Sequence, residues 1–110
     1  RLCMTDVGLQ SMVGIQECTA LMHLDLSQNS IPEMDVDVLS RLTNLRCLWL
    51  NQNRISRIQG LKPLNRLNTL WLARNAISCI CDELEDNAAL TDINLAATAI
   101  GNFRDIPKLS

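Results

Sequence analysis

Aromatic residues are scarce in this sequence, and tyrosine is absent. Aromatic types make up 3% of the 110 residues and comprise Trp49, Trp71 and Phe103, whereas hydrophobic types make up 47%. The chain therefore has enough apolar side chains for the core of one domain, and that core must be mainly aliphatic.

Long apolar runs and an excess of one charge are also missing. No run approaches the roughly 18 apolar residues of a membrane-spanning helix, and no basic segment precedes an apolar one as in a signal peptide. The formal net charge is −2, so bulk electrostatics does not favour a nucleic-acid partner. A Gly-rich phosphate-binding loop and a basic stripe with interleaved aromatic residues are absent as well. We therefore expect no cofactor, and neither nucleic acid nor membrane among the partners.

The cysteines form no recognisable disulfide framework. Their number is odd, and their spacing matches no common pattern of a secreted disulfide-rich domain. Asn-x-Ser/Thr acceptor sites for N-glycosylation do not occur. These features favour a reducing compartment, and we expect the cytoplasm, the nucleus or a ciliary or axonemal location. The five cysteines are Cys3, Cys18, Cys47, Cys79 and Cys81.

What the sequence does contain is an internal repeat with steps of 22, 24, 22 and 23 residues. Each copy has three leucine-type positions, then an asparagine-type position, then an isoleucine. The complete copies are Leu21, Leu24, Leu26, Asn29 and Ile31; Leu45, Leu48, Leu50, Asn53 and Ile55; Leu67, Leu70, Leu72, Asn75 and Ile77; and Leu90, Ile93, Leu95, Thr98 and Ile100. A degraded first copy comprises Leu2, Met4, Val7 and Leu9.

The spacing within each copy predicts a strand followed by a compact return. Leu-x-Leu alternates with a period of two, which places both leucines on one face of a short strand. The following spacings of three favour a 3₁₀ or short helical return. One such coil cannot bury its own apolar face, but stacked coils form a continuous core and a parallel sheet. We expect strands near 2–4, 24–26, 48–50, 70–72 and 93–95.

The asparagines that follow the strands are expected to form a ladder. A side-chain amide can both donate to and accept from backbone groups that the inward turn leaves unpaired. Thr98 can do part of this work, whereas Val7 cannot, so the first coil should be looser. The ladder comprises Asn29, Asn53, Asn75 and Thr98.

The run Leu-x-x-Leu-x-Leu-x-x-Asn-x-Ile-x-x-Ile-x-Gly-Leu, complete from Leu45 to Leu61, resembles the leucine-rich repeat family. It is similar to the 22-residue class typified by the regulatory subunit of protein phosphatase 1, which includes an axonemal dynein light chain and ciliary repeat proteins. The resemblance covers essentially the whole chain. It implies an α/β fold: a right-handed solenoid with a parallel β-sheet on the concave face and 3₁₀ or short helical returns on the convex face.

We expect residues 1–110 to form a single leucine-rich repeat domain of about four and a half repeats. Solenoids need polar terminal coils, and neither end of this sequence has one. The expectation is therefore a fragment of a longer array. The alternative is a short natural domain whose partner covers its ends.

The side chains between and beside the strand leucines are expected to point onto the concave face. Trp49 and Trp71 occupy the same position in adjacent copies, so they should lie exposed as neighbours in the middle of the sheet. Tryptophan and arginine are enriched at binding hot spots, and polar residues typically surround them. The predicted protein-binding residues are Asp25, Trp49, Asn51, Trp71, Arg74 and Asn94.

Two other interpretations of the tryptophans remain. The indoles can simply support each other, since an aromatic cross-strand pair contributes up to about 1 kcal/mol. A distant part of the same chain can also pack on them. We favour a recognition surface because large exposed apolar patches usually mark contacts.

His23, Asp25 and Cys47 resemble a base, an orienting acid and a nucleophile on neighbouring strands. A flat sheet face provides neither an oxyanion hole nor a pocket that excludes water. Cys3, His23 and Cys47 also fall short of the four ligands of a zinc site. We therefore expect no catalytic residue and no metal.

The sequence thus predicts a non-enzymatic scaffold that binds a protein partner on its concave face. The resemblance implies phosphatase regulation or ciliary and microtubule-associated assembly as settings. The alternative is a structural spacer segment of a long repeat array without its own ligand.

Overall fold

The computed structural model of the protein describes residues 1–78, 84, 87–96 and 98. Of the features discussed above, Cys79, Cys81, Ile100 and Phe103 lie outside the described residues. In the described part, Cys3, Cys18 and Cys47 are free thiols.

The described residues form one parallel sheet of five strands. The strands are β1 (Leu2–Cys3), β2 (His23–Asp25), β3 (Cys47–Trp49), β4 (Thr69–Trp71) and β5 (Asp92–Asn94), and they pair in sequence order. Leu24 is in register with Leu48, Leu48 with Leu70, and Leu70 with Ile93. The repeat steps read from the sequence are therefore the steps between hydrogen-bonded strands, and the expected parallel sheet is confirmed.

Strands β2 to β5 begin one residue earlier than predicted, and β1 has only two residues. The backbone ladder already includes the residue before the inner leucine, as in the bond of 3.1 Å from Cys47 N to Met22 O. After each of the first four strands the chain turns through a left-handed residue that is not glycine. These residues are Asp6, Gln28, Gln52 and Arg74, with φ of 53°, 60°, 58° and 60°. This turn ends the strand before the last predicted position.

The core lies on one side of the sheet and is aliphatic, as predicted. The inner leucines Leu24, Leu48 and Leu70 have no exposed surface, and neither do Leu26 and Leu50. Every member of the buried cluster in the described residues is Leu, Ile, Met or Val. Both strand leucines of a coil therefore face the core, and the side chains between them face away from it.

The returns are short turns and helices, as the spacing of three predicts. A 3₁₀ helix comprises Ile15–Glu17, and α1 comprises Val36–Leu39. Asp35 caps α1 because its Oδ1 accepts from Asp37 N at 3.0 Å. The return before β4 instead uses single turns, in which Leu64 N donates to Leu61 O. The coil with the longest step, 24 residues, is thus the one that accommodates α1. Among the described residues, no helix is long and apolar enough to cross a membrane.

Candidate functional site

The side chains between the strand leucines form one column across the sheet. Asp25 is in register with Trp49, Trp49 with Trp71, and Trp71 with Asn94. Neighbouring strands are about 4.8 Å apart, so adjacent members of the column can touch. The topology therefore brings four of the six predicted binding residues into a single row on the face opposite the core.

Trp49 and Trp71 form a T-shaped aromatic pair. Their ring centroids are 6.5 Å apart, and their planes are 82° apart. Edge-to-face packing of this kind is favoured by the ring quadrupoles. Both side chains are half-buried rather than exposed, which corrects the sequence-based expectation, because each indole shields part of the other.

Two further side chains lie against Trp49. The His23 ring is stacked on it, with centroids 6.3 Å apart and planes 14° apart. The guanidinium carbon of Arg1 lies 6.0 Å from the centroid of the Trp49 ring. Trp49 is therefore the centre of an aromatic and cationic cluster to which four successive coils contribute, because Trp71 also belongs to it.

Trp71 carries an unpaired donor. Among the described residues, its Nε1 is one of the buried side-chain nitrogen or oxygen atoms without a hydrogen-bond partner. Burying an N–H without an acceptor costs about 1–3 kcal/mol, and such groups are rare in folded proteins. The core does not impose this arrangement, because Trp71 projects from the opposite face of the sheet.

The polar residues of this face are partly engaged in holding the backbone. Asn51 Oδ1 accepts from Ala73 N at 2.8 Å, and Ser27 Oγ accepts from Asn51 N at 3.1 Å. Asp25 Oδ1 similarly accepts from Ser27 N at 3.0 Å. Because these contacts fix the side chains at the strand ends, the polar groups are preorganised.

The side chain of Asn94 is likewise fixed by a bond to the backbone, since its Oδ1 accepts from Ala96 N at 3.1 Å. In both asparagines the oxygen is bonded to backbone, so the amide N–H groups are the ones left to meet a ligand.

These side chains surround an open cleft of about 440 Å³. Four predicted residues line it, namely Asp25, Trp49, Asn51 and Trp71, whereas Arg74 and Asn94 do not. Arg74 is exposed and belongs to the left-handed turn after β4. The sequence-based prediction did not include the other lining residues, although the repeat places each of them beside a strand leucine or in the turn that follows the strand. They are Arg1, Thr5, Ser27 and Gln28.

The asparagines at the strand ends link successive coils. Asn53 Nδ2 donates to Leu50 O in its own coil at 3.1 Å and to Leu26 O in the preceding coil at 3.0 Å. Asn53 Oδ1 accepts from Ile31 N at 3.1 Å, again in the preceding coil.

The other ladder positions repeat this arrangement in whole or in part. Asn75 Nδ2 donates to Leu50 O at 2.8 Å and Leu72 O at 3.0 Å, and Asn29 Nδ2 donates to Met4 O and Leu26 O at 2.9 Å each. Among the described residues, the hydroxyl of Thr98 makes just the bond within its own coil, to Leu95 O at 2.9 Å.

Asn87 has a role that the sequence pattern did not reveal. It occupies the column that holds Leu42 and Leu64 in the two preceding coils, and it is only 4% exposed. Its Nδ2 donates to Leu61 O at 2.8 Å and to Leu64 O at 3.2 Å. A polar residue in an apolar column was the available signal for such a link between coils.

The residues considered for catalysis or metal binding have other contacts. Cys47 is in register with His23, but its thiol lies 3.7 Å from Asn68 Oδ1. His23 is stacked on Trp49, and the Asp25 carboxylate accepts from backbone. Within the described ranges, no group of three His, Cys, Asp or Glu side chains is arranged to hold a metal ion.

Comparison with known proteins gives consistent results at the level of family and fold. A family model described as leucine-rich repeats (2 copies) matches residues 19–63 and 43–86. A leucine-rich repeat protein of Leptospira interrogans superimposes with a TM-score of 0.77 at 24% sequence identity, over 87% of this chain and 26% of that one. Internalin C2 of Listeria monocytogenes gives a TM-score of 0.73 at 26% identity, over 80% of this chain and 38% of that one.

A second internalin of that organism, inlF, gives a TM-score of 0.63 at 23% identity and covers 96% of this chain. This chain spans 38% or less of the length of each of these three structures. Comparison with curated protein sequences gave no match.

Proposed function

Because this chain belongs to the leucine-rich repeat family, we propose that it is a non-enzymatic scaffold that binds a protein partner on the face carrying Trp49 and Trp71. Proteins of this family are in general protein-interaction modules. The observation that carries the proposal is the T-shaped tryptophan pair in an open cleft on the face opposite the core.

The composition of the cleft supports recognition. Tryptophan is the residue type most associated with binding hot spots, and here Asp25, Ser27 and Asn51 provide a polar surround.

An affinity capture experiment tests this proposal. The immobilised chain of residues 1–110 and its Trp49→Ala/Trp71→Ala variant are exposed to lysate of the source cells. A Val13→Ala/Val36→Ala variant is the matched control, because these valines are 70% and 46% exposed and lie in return segments. We expect wild type and control to retain one specific protein that the tryptophan variant loses, with all three chains equally folded by circular dichroism. Equal retention by the tryptophan variant would contradict the proposal.

The alternative function is a structural spacer within a long repeat array, without a ligand of its own. It is supported by the fact that this chain spans only 26% to 38% of the similar solved structures. Retention of no specific protein by any of the three chains would favour the spacer.

For the cellular setting, we propose a regulatory or a ciliary and microtubule-associated role in the cytoplasm, the nucleus or the cilium. The support is the similarity of the 22-residue repeats to that class and the free thiols of Cys3, Cys18 and Cys47. Imaging of the tagged protein in its source cells tests this placement, and a secreted protein would contradict it.

A further inference from the structure

The chain places one of its own cations against the cleft tryptophans. The Arg1 guanidinium carbon lies 6.0 Å from the Trp49 ring centroid, and Arg1 also lines the cleft. Cations within about 6 Å of an indole centroid are attracted by the negative potential of the ring face. The cleft therefore already has the geometry for a guanidinium.

A carboxylate lies beside this position. Asp25 is the register neighbour of Trp49 and lines the same cleft. Its Oδ1 accepts from Ser27 N, which fixes the side chain, and a carboxylate still has a second oxygen with which to accept from a charged donor. Charge-assisted bonds of this type are about twice as strong as neutral ones.

The second indole completes the enclosure. Trp71 stands at 82° to Trp49, so the two rings provide two walls of different orientation rather than one flat surface. Perpendicular aromatic walls next to a carboxylate are the arrangement by which proteins hold organic cations.

The charge of the cleft lining favours the same kind of ligand. The charged residues among those that line the cleft are Arg1 and Asp25. Once Arg1 is displaced, the carboxylate of Asp25 is the charge that remains in the lining, and it complements a basic partner and disfavours an acidic one.

We propose that this cleft binds an arginine side chain of the protein partner, which displaces Arg1 from Trp49 and pairs with Asp25. The inference rests on the proposed function, since it specifies the chemistry of the partner on the same face. Arg1 is then an internal competitor rather than a contact residue, and its removal should strengthen binding.

Blocked pentapeptides test the proposal directly. The probes are Gly-Leu-Arg-Leu-Gly and two analogues in which citrulline or glutamate replaces arginine, titrated into the full chain while the two indole N–H signals are followed by NMR. Citrulline keeps the shape of arginine and removes the charge. We expect the arginine peptide to shift the Trp49 signal and to bind at least roughly fivefold more tightly than the citrulline peptide.

Two conservative variants determine the roles of the charged residues. Asp25→Asn retains an acceptor for Ser27 N and should weaken arginine-peptide binding by roughly fivefold, whereas Arg1→Ala should strengthen it. Equal binding of arginine and citrulline peptides, tighter binding of the glutamate peptide, absence of arginine-peptide binding, or weaker binding by Arg1→Ala would each overturn the inference. Tryptophan-dependent capture of a protein from lysate together with any of these results would leave the scaffold function intact and reject only the arginine chemistry.

Discussion

Asn53 Nδ2 donates a hydrogen bond of 3.0 Å to the backbone carbonyl of Leu26, which lies 27 residues earlier in the preceding coil. The same nitrogen bonds Leu50 O, and the side-chain oxygen accepts from Ile31 N. One amide thus joins two coils at the level of the backbone. It does so in a position that is only 8% exposed, where water cannot replace it easily.

Asn53→Ala should therefore lower the free energy of unfolding by about 1–3 kcal/mol, because the buried Ile31 N loses its acceptor, whereas Leu26 O and Leu50 O keep bonds from Asn29 and Asn75. Asn65→Ala, at an exposed asparagine, is the control and should change stability by less than about 0.5 kcal/mol. Denaturant unfolding of both variants measures the difference. Equal stability of the two variants would show that the ladder does not hold the coils together.

The leucine spacing and the asparagine positions were sufficient to predict the sheet, its order and its register. The reason is that each coil has one buried face, so a slip in register would place polar side chains in the core. The same reasoning located the column from Asp25 to Asn94, because alternation along a strand is fixed by backbone geometry.

The contacts within the cleft could not be predicted from the spacing of residues in the sequence. The stacking of His23 on Trp49 and the approach of Arg1 to the same ring depend on side-chain rotamers, which residue spacing does not determine. The half-burial of the two indoles follows from their mutual angle, which is likewise a rotamer property. The left-handed turns at Gln28 and Gln52 carry no glycine that would have marked them.

Gly60 is expected to tolerate no side chain. Its φ is +80°, and a Cβ atom there would lie 3.1 Å from Val36 Cα, at the start of α1. Gly60→Ala should lower the free energy of unfolding by about 2–4 kcal/mol, from left-handed strain of about 1–2 kcal/mol plus displacement of the helix backbone.

Gly8→Ala measures the backbone strain without the steric part of this effect. Gly8 has a similar φ of +75°, but nothing lies within 4 Å of its Cβ position. This variant should lose only the strain of about 1–2 kcal/mol. Thermal or denaturant unfolding of the two variants gives the comparison. An equal loss of stability would mean that the close approach of Gly60 to Val36 adds nothing to the cost of a side chain at position 60.

Asn51→Asp should leave the fold intact and change the cleft. The Oδ1 atom of Asn51 is the acceptor for Ala73 N, and aspartate retains that acceptor. The substitution adds a second carboxylate to a cleft that already contains Asp25, so binding of an arginine peptide should strengthen by up to roughly fivefold.

The matched variant Asn51→Leu removes the acceptor and should destabilise the chain by about 1–3 kcal/mol, because Ala73 N loses its partner. Peptide titration at low and moderate salt measures the first effect, which should diminish as salt screens the added charge. Weaker binding of the arginine peptide by Asn51→Asp would indicate that the amide N–H, and not the charge of the cleft, contacts the ligand.

Asn87 provides a test in which the sign of the effect is informative. Its Nδ2 donates to Leu61 O and Leu64 O, but both carbonyls already accept backbone bonds, from Leu64 N at 3.0 Å and Leu67 N at 3.2 Å. Its own Oδ1 is buried and has no partner among the described residues. Asparagine at this position therefore provides secondary bonds to satisfied carbonyls while burying one unsatisfied oxygen.

Asn87→Leu, which restores the residue typical of the column, should accordingly raise the free energy of unfolding by about 1–2 kcal/mol through added apolar burial and loss of the unpaired oxygen. Asn87→Ala removes the same bonds without filling the space and should be less stable than wild type by about 1 kcal/mol. Denaturant unfolding with a common m-value measures both changes. If Asn87→Leu is the less stable of the two variants, the bonds from Asn87 to the carbonyls of Leu61 and Leu64 stabilise the return segments more than a buried leucine would. Leucine could then not replace asparagine at this coil.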